Sequence, residues 1–458
     1  MKKIEHRAIV CRILAGILAL GLCLFVGKWL VKGGSWASSA FNRHLYNSAG
    51  QLSSGTVLDR DGDVLSTASG GKRTYYDNAT VRKATLHVVG DLQGNIGTGA
   101  LNAFADKLTG YNLLNGAYGA DKGNDLYLTI DARYNYIAYE ALNGRRGAVS
   151  VYNYKTGEVL CMVSAPSFDP LKVPEDLETD DRYRGAYLNR VLSSTFTPGS
   201  VFKTVTLAAA LEKIPDLEQR TWTCQGSVQI GEDTIVCSGT HGQEDITSAM
   251  ANSCNVVFSL LAEELGPDVM EKYTKKAGLM DSYSVSGLPT AKGTFAFQDA
   301  TEAQLGWAGV GQHHDQVNPC ALMIYMGAIA NGGRAAVPYL VERTVRSLGP
   351  LNLASLPHIT RRSGKLIEAD TAAKLADMMA NNVAVTYGSG RFPNMDICAK
   401  SGTAEVGDGQ TPHAWFTGFL RNEEAPYAFA MVVENGGGGS SVAGTVASKV
   451  LDAIVNGY

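Results

Sequence analysis

Thr197-Pro198-Gly199-Ser200-Val201-Phe202-Lys203-Thr204-Val205-Thr206-Leu207-Ala208-Ala209-Ala210-Leu211-Glu212 passes from a punctuated loop into an Ala/Leu-rich run. Pro and Gly just ahead of such a run predict a loop feeding a helix. Past Lys203 the run is apolar nearly all round, which marks a helix buried in a core. Ser200 falls in the first turn and Lys203 three residues on, so both are expected on one face. A serine hydroxyl is a poor nucleophile until a base takes its proton. A lysine does so only with a depressed pKa, which a dry pocket and a second nearby cation both favour. The helix start also offers free N–H groups at the positive end of its dipole. The Ser200 N–H is therefore expected to form half of an oxyanion hole.

Two later stretches supply what such a serine needs. Lys400-Ser401-Gly402-Thr403 follows the apolar residues 395–399 and precedes two more apolar runs, 413–420 and 427–433. This reads as an antiparallel meander whose first strand can hydrogen-bond an extended peptide by edge addition. Lys400 would be the second cation and could pair with a substrate carboxylate. The Thr403 N–H would complete the oxyanion hole, and Gly402 would admit the substrate backbone. Ser253-Cys254-Asn255 lies between the two stretches, where Ser253 can relay a proton and Asn255 can hold a substrate amide. Two decoys repeat the patterns. Ser69-Gly70-Gly71-Lys72 sits in a Gly-rich polar stretch, and Lys155-Thr156-Gly157 joins the apolar runs 147–152 and 158–164 as a hairpin turn would.

Taken in order as S-x-x-K, S-x-N and K-S-G-T, the chain resembles the class B penicillin-binding proteins, monofunctional D,D-transpeptidases. The likeness continues in Ala165-Pro166-Ser167-Phe168-Asp169-Pro170, Asn189-Arg190, His241-Gly242, Gly309-Val310-Gly311-Gln312, Asn318-Pro319 and His413-Ala414-Trp415-Phe416. Gly55-Thr56-Val57-Leu58-Asp59-Arg60-Asp61-Gly62 resembles the family's entry box, with Ser54 where an Arg usually leads. The resemblance implies an α+β transpeptidase-like domain, an antiparallel sheet packed with helices. Its catalytic residues would be Ser200, Lys203, Ser253, Asn255, Lys400 and Thr403, with Ser401, Gly402, Thr403 and Asn255 binding substrate. It further implies D-Ala-D-Ala stem peptides as substrate, covalent capture of β-lactams, and a multi-pass membrane glycosyltransferase as partner. No cofactor and no metal are expected.

Composition sets the frame around this site. The length of 458 residues predicts about two or three structural units. A formal charge of −4 with 18% charged residues shows no basic patch for nucleic acid. Lys2, Lys3, Arg7 and Arg12 precede an uncharged stretch, 13–27, closed by Lys28 and Lys32. Counted from Ala8, it reaches the ~20 residues a membrane helix needs. The basic leader predicts a cytoplasmic N-terminus, with the chain beyond Lys32 outside. A cleaved signal peptide, cut near Ala37-Ser38-Ser39-Ala40, is the competing reading. The expected organisation is a tail and anchor at 1–32, a small pedestal at 33–125 and the catalytic domain at 126–458.

Of eight cysteines, Cys224 and Cys237 flank a predicted hairpin and form either a disulfide or two buried thiols. Cys254 is expected in the core, His313 and His314 in a solvated loop, and His413 in a turn. A D,D-carboxypeptidase would share the site and differ only in its acceptor. A β-lactamase would want a Glu-held water, yet no E-x-x-L-N segment stands between Asn255 and Lys400. A catalytically silent scaffold or a sensor fits poorly with an intact motif set. A sensor would also need an output domain ahead of the membrane span, where about a dozen residues stand.

Overall fold

The computed structural model describes residues 2–37, 45, 52, 54–69, 72–109, 111–112, 116–117, 123–348, 351–355, 358–407 and 409–457. Gly70 and Gly71 of the first decoy, and all but Ala37 of the expected cleavage site, lie outside them.

The early hairpin and the late meander join in one antiparallel sheet. Its five strands run in the order Ile397–Ala404, His413–Leu420, Tyr427–Val433, Gly147–Asn153 and Val159–Ala165. Gly402 stands opposite Trp415, Trp415 opposite Val432, Val432 opposite Ala148, and Ala148 opposite Ser164. Both faces are covered, which is why the strands read as nearly unbroken apolar runs. Alternate residues serve two cores. Val149, Val151, Phe429 and Met431 pack with the helices Ala132–Leu142 and Gly444–Asn456. Ala148, Tyr152, Ala428 and Ala430 pack with the helix Pro319–Ala330 and the helical region behind it.

That region contains the helix Lys203–Lys213, buried from Lys203 to Ala210, and the long helix Asn255–Lys276. The latter kinks at Gly266-Pro267, where Gly266 takes φ 74°. One detail departs from the sequence reading: the α-helix opens at Lys203, and Ser200 sits in a preceding 3₁₀ turn, Gly199–Phe202. The tighter turn still presents free N–H groups ahead of the helix.

A second, six-stranded sheet runs Leu351–Ala354, Val341–Leu348, Asn124–Leu128, Thr56–Leu58, Val64–Ser69 and Lys72–Tyr75. Thr56–Leu58 and Asn124–Leu128 pair in parallel. This sheet draws strands from both sides of residue 126. Buried Arg73 ties its base by donating to the carbonyls of Leu52, Ser54 and Gly55. The N-terminal helix Lys2–Ala37 includes a span, Lys3–Leu30, long and apolar enough to cross a bilayer. The most apolar window of that span is unburied by the described residues, Leu18 being 75% exposed.

Candidate active site

Three chain segments meet at a cavity of about 690 Å³ lined by Ser200, Ser253, Asn255, Ser401 and Thr403, with Val236, Cys237, Ser238, Trp307, Val310, Gln312, His313 and Glu405 completing its walls. The turn holding Ser200 is wedged between the sheet and a glycine loop. Gly199 takes φ 55° and its N–H donates to the Gly311 carbonyl over 2.8 Å. Trp415 Nε1 donates to the Thr197 carbonyl over 2.9 Å, pinning the approach loop to the central sheet. Gln316 Nε2 reaches Thr197 Oγ1 over 2.9 Å. Further back, Thr206 Oγ1 donates to the Gly309 carbonyl over 2.6 Å.

Ser253 caps the convergence. It follows the helix Ile246–Ala251 and adopts φ 54°, an uncommon conformation for a residue with a side chain. Lys203 is fully buried, and its Nζ donates to the Ser253 carbonyl (2.5 Å), Asn255 Oδ1 (2.7 Å) and Ser253 Oγ (3.2 Å). Lys400, also fully buried, donates to Ser253 Oγ over 2.8 Å and to the Ser401 carbonyl over 3.0 Å. Asn255 Nδ2 donates to the Val236 carbonyl over 2.9 Å. Burial pushes the Lys203 ammonium down to about 7, against the weaker pull of Cys237, Cys254 and Glu244. Burial, then the charge of Lys203, holds Lys400 well below its ordinary range. Burial thus supplies the dry surroundings that a lysine base requires, and the two lysines share Ser253 Oγ.

Other expectations are revised. The sequence reads Gly402 as room for a substrate backbone, but the close neighbour is the protein itself. A Cβ there would stand 3.0 Å from the Pro198 carbonyl oxygen and from Val201. The turn holding Ser200 packs directly on the strand because position 402 has no side chain. Thr403 Oγ1 accepts from the Gly439 N–H over 3.2 Å. His413 is no turn residue: it starts a strand, accepts the Asn435 N–H over 3.1 Å and meets the Phe196 ring edge-on at 5.7 Å. His313 is half-buried on the cavity wall, beside the His314 ring. Cys254 is in the core, as expected.

Of the two readings left open for Cys224 and Cys237, the structure shows the buried thiols: both are free. They lie together with His241 and Cys254, although no metal-type cluster is legible in the sequence. Sequence reasoning misses Tyr387 as well: its hydroxyl accepts from the Ser401 N–H over 2.9 Å and meets Ser401 Oγ at 3.1 Å. No motif marks it, since it reaches the site from a separate π-helical turn, Val383–Tyr387.

The decoys separate cleanly. Ser69 and Lys72 face each other across a strand hairpin and not on one face of a helix. Lys155 and Thr156 donate their N–H groups to Asn153 Oδ1 in the tight turn after a strand. Asn189-Arg190 proves to be scaffold: Asn189 caps a short helix, and Arg190 Nε pairs with Glu434 over 2.5 Å. Asn318 Nδ2 likewise gathers the carbonyls of Val191, Leu192 and Ser194.

Comparison with known proteins agrees with this geometry. The family model described as penicillin binding protein transpeptidase domain matches residues 147–452. The peptidoglycan D,D-transpeptidase PbpA of Mycolicibacterium smegmatis is 31% identical over 371 residues, covering 75% of this chain and 74% of that protein. Stage V sporulation protein D of Bacillus subtilis is 27% identical, covering 73% of this chain and 53% of its own length. Among solved structures, the D,D-transpeptidase domain of a peptidoglycan glycosyltransferase from Eggerthella lenta superposes with a TM-score of 0.76 at 27% identity, covering 88% of this chain and 98% of that one. The chain therefore belongs to the penicillin-binding protein transpeptidases, in their class B branch.

Proposed function

We propose that this protein is a membrane-anchored, penicillin-sensitive peptidoglycan D,D-transpeptidase working through a Ser200 acyl-enzyme. The observation that carries the reading is one hydroxyl, Ser253 Oγ, held between two fully buried lysines on the wall of the cavity that Ser200 lines. In the first half-reaction Ser200 Oγ attacks the carbonyl of the penultimate D-alanine, and its proton passes to neutral Lys203. Ser253 relays that proton to the departing D-alanine nitrogen. The Ser200 and Thr403 N–H groups stabilise the oxyanion, contacts worth about 3–4 kcal/mol for each donor removed. Asn255 holds a substrate amide, the edge strand Ile397–Ala404 hydrogen-bonds the extended stem peptide, and Lys400 steers its carboxylate. In the second half-reaction an amine from a neighbouring stem peptide takes the acyl group and returns a proton through the same chain.

A β-lactam enters the first half-reaction as a stem-peptide mimic and stays bound because its leaving group remains tethered. The N-terminal span supports single-pass anchoring, with the N-terminus cytoplasmic and the catalytic domain outside. A multi-pass glycosyltransferase is the partner that the family likeness suggests. Labelling of the full-length protein in detergent with fluorescent penicillin, beside Ser200→Ala, tests the reading. A long-lived adduct that vanishes in the variant supports it. No adduct, or one indifferent to the substitution, sinks it.

A further inference from the structure

Beside the acyl-transfer site lies a second constellation. Cys224 Sγ, Cys237 Sγ, Cys254 Sγ and a His241 ring nitrogen lie within 4.8 Å of one another. Cys237 Sγ stands 3.9 Å from Cys254 Sγ and 3.8 Å from His241 Nδ1. A tetrahedral zinc with Zn–S near 2.3 Å separates its sulfur ligands by about 3.8 Å and sulfur from nitrogen by about 3.6 Å. A disulfide would need about 2.05 Å between sulfurs. The spacing therefore matches shared ligation and not a bond. Three soft thiols and one imidazole select a thiophilic, tetrahedral ion.

A separate observation points the same way. Glu244 is 2% exposed, and its Oε2 has no hydrogen-bond partner. That oxygen lies 3.6 Å from His241 Nδ1. Its other oxygen accepts from Asn252 Nδ2 over 2.6 Å, so one unpartnered buried carboxylate oxygen faces the cluster, the kind of acceptor to which a metal-ligating imidazole donates its other ring N–H.

We propose that Cys224, Cys237, His241 and Cys254 form a structural zinc site that braces one wall of the catalytic cleft. The four ligands come from four pieces of chain. Cys224 ends the strand Trp222–Cys224, Cys237 follows the hairpin strand Asp233–Val236, His241 precedes the strand Gly242–Glu244, and Cys254 caps the helix Asn255–Lys276. The sheets here have only two strands each, and such ribbons are marginal by themselves. An ion would staple them to the Ser253-Cys254-Asn255 turn. Binding displaces the thiol protons to solvent and leaves the protein otherwise unchanged.

The coupling to catalysis, which rests on the function proposed above, is short-ranged. Cys254 is the central residue of the turn whose neighbours contact Lys203. Cys237 Sγ accepts the Asn255 N–H over 3.2 Å, and the Val236 carbonyl takes Asn255 Nδ2. Val236 and Cys237 also line the cleft. Fixing the two sulfurs thus fixes the asparagine.

The test uses the full-length protein in detergent, purified under reducing conditions, dialysed against a chelator and titrated with cobalt(II). One equivalent of cobalt should produce a thiolate-to-metal charge-transfer band and the intense visible bands of a tetrahedral site, both bleached by one equivalent of zinc. Cys224→Ser should lower the charge-transfer band, and His241→Ala should shift the visible bands. If either variant misfolds, the wild-type titration still decides. A wild-type chain showing no thiolate band, a band unchanged in Cys224→Ser, or an intact mass reporting a Cys–Cys bond in the unreduced protein overturns the site. Ser200→Ala should bind cobalt like the wild type, so loss of penicillin labelling and loss of metal are read independently.

Discussion

Lys400 and Ser253 meet across the cleft, Lys400 Nζ on the edge strand of the sheet lying 2.8 Å from Ser253 Oγ in a turn between two helices. Lys203 approaches the same oxygen at 3.2 Å. A hydroxyl has one proton and two lone pairs, so it can accept from one lysine while donating to the other only if that other is neutral. Burial of both amines supplies that condition, and the positive φ of Ser253 aims the hydroxyl at them.

Ser253→Ala removes this bridge while leaving Cys254 and Asn255 in place. Penicillin acylation should slow by about 10²–10⁴-fold, the scale of a lost proton-transfer group. Stopped-flow labelling reads the rate, and an unchanged rate would remove Ser253 from the relay. Lys203→Ala should abolish acylation while leaving the far-ultraviolet circular dichroism largely intact.

The pH dependence follows from the direction of the Lys203 shift. Burial lowers its pKa to about 7 from an ordinary 10.5, so the neutral, proton-accepting form grows as pH rises through about 7. The acylation rate constant should climb across that range and level off above it. A base with an ordinary lysine pKa would instead still be climbing at pH 9. Stability carries the same sign. Between about 7 and 10.5 the unfolded chain binds the proton that the folded chain has lost, so this group raises stability as pH rises in that window.

How much of this is legible in the sequence depends on distance along the chain. Ser200 and Lys203 declare themselves because a three-residue spacing at a helix start is local physics, and the five strands do so because each is a self-contained apolar run. Tyr387 reaching Ser401, Trp415 reaching Thr197 and the Cys/His cluster cannot be read, because each joins residues separated by turns whose geometry is set by tertiary packing. Gly402 shows the intermediate case. The need for a missing side chain is readable, but the neighbour that fills the space is not.

Trp415→Phe keeps an aromatic ring in the sheet and deletes only the N–H that holds the Thr197 carbonyl. Leaving that carbonyl without its donor should cost about 1–3 kcal/mol of stability. Because Thr197 lies three residues before Ser200, acylation should also slow by more than the fold loss explains. Thermal unfolding and labelling kinetics on the same preparation separate the two effects. Equal acylation in the folded fraction would show that the loop holds its place without the bond.

Gly311→Ala tests the other side of the same loop. Gly311 takes φ 83°, and a Cβ there would stand 2.0 Å from the Gly199 carbonyl oxygen, a backbone atom with no flexible end to yield. The left-handed conformation alone costs a residue with a side chain about 1–3 kcal/mol. The overlap adds to that cost by pushing the 3₁₀ turn toward the strand, where Gly199 is already confined by Thr403 and Ala404. Ser200 should then lose its alignment before the fold is lost. The expected result is a lower melting temperature together with a sharply reduced acylation rate in the protein that remains folded. Gly332→Ala, a control with φ 66° and open space around its Cβ, should carry the conformational cost without the catalytic one. If the two variants acylate equally, contact between the glycine loop and the nucleophile turn does not position Ser200.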